Sequence, residues 1–114
     1  PIDLVNKLRK AKEIKGTRFI HVYAPCPTGW KSRPDDTVKL ARLAVQTGYF
    51  PLYEVENGEM WTLNLKLKER KPIIEYLKLQ GRFRHLKDEE IAMIQKEVDR
   101  NWDRILKKCD QAAS

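Results

Sequence analysis

A chain of 114 residues with a formal net charge of +7, 41% apolar and 34% charged residues fits one small domain, whose folding would bury about 65% of its unfolded surface. No apolar run approaches the ~20 residues of a membrane span and no signal-peptide pattern is present, so no membrane partner is expected and the cytoplasm is the expected compartment. Two cysteines, Cys26 and Cys109, lie far apart in different kinds of segment, which argues against a disulfide framework and for a reducing compartment.

The chain begins at Pro1 and enters a helical pattern at once, with Asp3 as N-cap candidate and Leu4, Leu8 and Ala11 on one stripe. This reads as a chain entered midway. Gly16 is placed to stop the helix and turn it toward Phe19-Ile20-His21-Val22-Tyr23-Ala24, a β-branched and aromatic run too short for a helix, which predicts a buried parallel strand. Helix, turn and strand make half of a βαβ unit, so the expected class is α/β.

The strand is cut off by Pro25-Cys26-Pro27-Thr28-Gly29-Trp30. Two prolines without N–H stiffen the first part of this loop and Gly29 permits a sharp turn after it. Such a loop presents one thiol in a defined direction, at the carboxyl end of a strand where ligands collect in open sheets. Next, Ser32-Arg33-Pro34-Asp35-Asp36 carries helix-start signals, and Val38, Leu40, Ala41, Ala44 and Val45 give that helix a broad apolar side until Gly48 ends it.

Asn57-Gly58 between Leu52–Glu56 and Glu59–Leu63 predicts a two-residue hairpin of type I′. That register sets Val55 opposite Met60, Tyr53 opposite Thr62 and Glu56 opposite Glu59, a like-charge conflict, with apolar groups on both faces. A helix is expected from Pro72, bearing Ile73, Ile74, Tyr76 and Leu77 and closing near Gly81. The last helix is the clearest: Ile91, Ile94, Val98, Trp102 and Ile105 recur at threes and fours, acids open it and Lys107 and Lys108 close it. Cys109 falls in its end with no role expected, and residues 111–114 are expected to be disordered.

Basic residues are densest at Lys66-Lys68-Arg70-Lys71 and Arg82-Arg84, interrupted by glutamates. A solvated basic face is the plain reading. The function it allows as an alternative is a non-catalytic basic binding module for an acidic protein or nucleic acid. No glycine-rich phosphate loop, zinc-finger spacing or RNP-type motif accompanies the charge, so nucleic acid is not the expected partner.

Cys26 itself has three readings: a packed inert thiol, an activated nucleophile, or a metal ligand. A nucleophile needs a base, and His21 has the opposite strand parity, so it should project away. A cubane iron–sulfur cluster needs four thiolates, so this chain can supply one corner of such a site. The N–H groups of Thr28 and Gly29 could then hydrogen-bond cluster sulfurs and raise the potential. His85 is a lone histidine and reads as packed or hydrogen-bonded.

The stretches from His21 to Trp30, Thr37 to Gly48, Pro51 to Glu54 and Lys71-Pro72 to Phe83 closely resemble the carboxyl-terminal part of the beta subunit of pyruvate:ferredoxin oxidoreductase, or pyruvate synthase, in the 2-oxoacid:ferredoxin oxidoreductase family. The resemblance covers nearly the whole chain. It implies the carboxyl-terminal portion of a thiamine-diphosphate-binding fold, with residues 1–50 closing that α/β domain and residues 51–114 forming a hairpin and helical extension. It also implies oxidative decarboxylation of a 2-oxoacid, pyruvate first, to acetyl-CoA, with electrons passed through [4Fe-4S] clusters to ferredoxin.

On the matching loop the resemblance makes Cys26 a ligand of the cluster nearest the thiamine diphosphate, with Thr28 and Gly29 beside it. The other ligands, thiamine diphosphate and its magnesium belong to the rest of the family's subunit, whose Cys-x-x-Cys and Gly-Asp-Gly motifs are absent here. The expected partners are therefore the other subunits, ferredoxin, coenzyme A and the 2-oxoacid, and the chain alone is expected to be inactive, with no catalytic residue of its own.

Overall fold

The computed structural model describes residues 1–113. Helix α1 (Ile2–Glu13) forms where expected, but its stripe is only partly covered: Leu4 and Ala11 are half-buried, Leu8 is exposed, and no residue of the helix is fully buried. It is tied instead to the hairpin by Lys10, whose ammonium reaches Glu54 and, at 3.7 Å, Glu56.

The buried parallel strand expected at Phe19–Ala24 is not formed among the described residues. Residues 17–25 make no backbone–backbone hydrogen bond among the described residues, and Phe19 is 87% exposed. Composition supplies strand propensity, but a strand is completed only by a neighbour that takes its N–H and C=O groups, and the described sheet consists of two other strands alone.

The Cys26 loop is one helical turn, α2 (Pro27–Trp30). Pro27 sits at the first helical position, where its missing N–H costs nothing, and Cys26 precedes it in an extended conformation. Trp30 donates its N–H to the Cys26 carbonyl at 2.9 Å, and Ser32 donates to that of Pro27 at 3.0 Å. A tight turn at Pro34–Asp36 leads into α3 (Thr37–Gln46). Beyond its end the N–H groups of Gly48 and Phe50 fold back onto the carbonyls of Val45 and Ala44.

Strands β1 (Tyr53–Glu56) and β2 (Met60–Leu63) pair antiparallel. Asn57 and Gly58 both take positive φ, 53° and 74°, as a type I′ turn requires. The register departs from expectation by one residue. Glu56 faces Met60, Val55 faces Trp61 and Tyr53 faces Leu63, leaving Glu59 as an extra residue beside the turn.

This shift sorts the two faces, because side chains alternate along a strand. Tyr53, Val55, Trp61 and Leu63 now share one side and Glu54, Glu56, Met60 and Thr62 the other. The expected Glu56–Glu59 conflict is absent from the ladder, and the acidic face meets Lys10.

Helix α4 (Ile74–Leu77) is a single turn followed by a tight turn at Gly81–Phe83. Helix α5 (Asp88–Ala113) runs unbroken through Gln111, contrary to the expected disorder of residues 111–113; Ser114 lies outside the described residues. A carboxylate of Glu90 accepts the Lys87 N–H at 2.8 Å at its start.

The core joins Leu40, Leu43 and Ala44 of α3, Ile73, Tyr76 and Leu77 around α4, and Val98 of α5. Helix α5 also covers the apolar face of the hairpin, where Lys108 Nζ lies 4.1 Å from the centre of the Trp61 ring and Tyr53 stacks on Trp61. The architecture is thus a mixed assembly of helices with one small antiparallel sheet. Among the described residues, no helix is long and apolar enough to cross a membrane.

Candidate functional site

Cys26 stands exposed at the start of α2. Its sulfur folds back over the turn: a Cβ placed on Gly29 would lie 3.5 Å from Sγ. The N–H groups of Thr28 and Gly29 belong to the first turn and find no backbone acceptor among the described residues, as the opening of any helix leaves them. Cys26, Thr28 and Gly29 are therefore brought together, with one thiol and two unpaired donors on an exposed rim.

A single helical turn has almost no stability of its own, since nucleation is the costly step. The support comes from Gln80-Gly81-Arg82, far along the chain. Gly81 donates its N–H to the Lys31 carbonyl at 2.9 Å, and the approach is so close that a Cβ on Gly81 would stand 2.8 Å from Lys31 Cβ. Arg82 Cζ lies 4.0 Å from the Trp30 ring centre and 4.5 Å from that of Phe83. Arg82 Nε donates to Gln80 Oε1 at 2.8 Å, and the buried Gln80 donates from Nε2 to the Tyr76 carbonyl at 2.9 Å.

The segment leading into the turn is held by aromatic rings. Tyr23 packs on Trp30 and Phe50, with centroids 5.6 and 5.0 Å apart, and its hydroxyl is hydrogen-bonded to that of the fully buried Tyr76. Tyr49 stacks on Tyr76 at 4.9 Å. Burial first, and then the hydrogen bond with Tyr76, push the Tyr23 phenol well above its ordinary value; burial also raises that of Tyr49. These phenols stay neutral, so the ring cluster acts as packing and hydrogen-bonding support for the turn.

His21 lies edge-on to Phe50 at 5.2 Å, and His85 is exposed. Cys109 is half-buried in α5. Among the described residues no group of three or more His, Cys, Asp or Glu side chains is gathered to hold a metal ion.

Part of the basic run is engaged internally. Arg70 pairs with Asp99 at 2.8 Å and lies 5.6 Å over Trp102, and Lys71 meets Glu75 at 3.6 Å. The support by Gln80, Gly81 and Arg82 was missed in the sequence, where its only trace was the closeness of Gly81, Arg82 and Phe83 to one another.

No family model matches the chain. Over 109 residues it is 51% identical to the ketoisovalerate oxidoreductase subunit VorB of Pyrococcus abyssi, an alignment covering 94% of this chain and 35% of that protein. It is 52% identical over 99 residues to the pyruvate synthase subunit PorB of Methanocaldococcus jannaschii, covering 87% of this chain and 33% of that protein. The PorB of Pyrococcus furiosus is 40% identical over 121 positions, 90% of this chain and 37% of its own length. The chain spans about a third of the length of these curated relatives.

Proposed function

Because the chain belongs to the beta-subunit family of 2-oxoacid:ferredoxin oxidoreductases, as a segment akin to one third of VorB and PorB, we propose that it serves as the carboxyl-terminal part of such a subunit and supplies Cys26 as one ligand of a [4Fe-4S] cluster. The reaction proposed is oxidative decarboxylation of a 2-oxoacid to its acyl-CoA, with electrons passed to ferredoxin. The relatives carry ketoisovalerate and pyruvate in their names at nearly the same identity, so both 2-oxoacids are substrates to test, pyruvate among them.

The observation that carries this reading is the exposed Cys26 thiol, held over a turn whose Thr28 and Gly29 N–H groups are unpaired. The cluster, when bound, supplies one-electron transfer. In this chain, Cys26 Sγ would close one corner of it, and the two N–H groups would donate to its sulfurs and raise its potential. The remaining ligands, thiamine diphosphate and magnesium are assigned to the other two thirds of the subunit.

Residues 1–50 on this reading complete the thiamine-diphosphate-binding domain, and residues 51–114 form its extension toward neighbouring subunits. The compartment proposed is the cytoplasm. The test is Cys26→Ala in the complete subunit assembled with its partners. The variant is expected to lack the reduced-cluster signal that depends on this subunit and to lose ferredoxin reduction with pyruvate and coenzyme A; an unchanged signal with full ferredoxin reduction would show that the thiol holds no iron.

A further inference from the structure

We propose that Arg82 is a positioning residue for the Cys26 turn: its guanidinium, laid on Trp30, fixes the direction in which the thiol and the Thr28 and Gly29 N–H groups are presented. The inference rests on the reading of Cys26 as a cluster ligand and adds to it a residue far along the chain.

The argument runs through the two ends of α2. Its carboxyl end is Trp30 followed by Lys31, which takes a left-handed conformation at φ 53°. Arg82 covers the Trp30 ring at 4.0 Å, and Gly81 N–H grips the Lys31 carbonyl. Its amino end is Cys26, bound to Trp30 through the 2.9 Å hydrogen bond.

A four-residue turn cannot set its own orientation. Whatever holds Trp30 and Lys31 also aims Cys26. Arg82 is itself fixed in the plane required, because Nε is taken by Gln80 Oε1 and Gln80 is buried and tied to the Tyr76 carbonyl. A planar fork that stacks and donates at once is a property of arginine that lysine lacks.

The experiment uses the complete subunit in its oxidoreductase and compares the parent with Arg82→Lys, which keeps the charge and gives up the stacked plane. Two readouts are taken: the spectrum and midpoint potential of the reduced cluster, and, after cluster removal, the rate at which iodoacetamide alkylates Cys26. Arg82→Lys is expected to broaden the cluster signal, lower its potential through poorer N–H alignment, and speed alkylation roughly three- to tenfold, in keeping with loss of the planar stacking on Trp30 and of the fixed bond to Gln80.

An unchanged potential and alkylation rate would overturn the assignment, even with a lower melting temperature, since Arg82 would then only contribute packing. Trp30→Phe retains a ring beneath the guanidinium and should stay within about twofold of the parent; a change as large as that of Arg82→Lys would also overturn it. Arg82→Gln is read by the same criteria if the lysine variant does not assemble. Retention of the cluster in Cys26→Ala defeats the ligand reading instead, whereas the alkylation arm, run without a cluster, decides the role of Arg82 separately.

Discussion

A thiol on an exposed loop is chemically ordinary, and what distinguishes Cys26 is the set of side chains that aim it. The sequence made the cysteine, its flanking prolines and the two following N–H groups visible, because these are local features. Arg82, Gln80 and Tyr76 were not visible, since their pairing with Trp30 and Tyr23 depends on how distant segments meet. Charge at the residue scale has its own test. The Lys10 hydrogen bond holds the Glu54 carboxyl below its ordinary 4.5, and the same bond raises Lys10 above 10.5. A depressed carboxyl stabilises the fold above its unfolded value and loses that contribution as pH falls through the folded one; a raised ammonium contributes below its unfolded value and loses it as pH rises. The pair therefore acts fully between about pH 4.5 and 10.5. Lys10→Met should melt slightly below the parent at neutral pH, and the gap should close as the solution is acidified through the depressed carboxyl pKa; a gap that persists unchanged to about pH 2 would contradict the assignment.

Elements with local signals were legible. Helix α5 followed from its threes-and-fours pattern and the hairpin from Asn57-Gly58. The register was not, because a turn type fixes the chain reversal while the sorting of apolar side chains fixes the pairing, and one extra residue at Glu59 reconciles the two. The expected strand at Phe19–Ala24 failed for the opposite reason: its composition is suitable, and its ladder has no partner among the described residues. The observed register predicts a contrast between neighbours on β2. Leu63, 8% exposed on the face beneath α5, should lose about 2–4 kcal/mol on substitution by Ala. Thr62, exposed on the other face, should change stability by within about 0.5 kcal/mol. Denaturant unfolding of both variants checks this, and equal losses would mean that the strand is turned over.

At the scale of the whole molecule, surface area carries the argument. The chain exposes 8730 Å², where a self-contained protein of 13.5 kDa would expose about 6500 Å². Its radius of gyration is 15.8 Å, against about 13 Å for a compact domain of this length. The excess includes the exposed apolar side chains of α1, Ile2, Val5 and Leu8, and the unpaired apolar run with Phe19 and Val22, both well exposed. On the proposed reading, this surface is where the rest of the subunit and its neighbours pack. The same proposal makes the Cys26 turn one corner of a site closed by residues from elsewhere. The most direct measurement is a density map of the complete, anaerobically prepared subunit. The account predicts iron bonded to Cys26 Sγ, with the Thr28 and Gly29 N–H groups directed at the cluster; a map showing Cys26 free of iron while a complete cluster is held by four other ligands would contradict it.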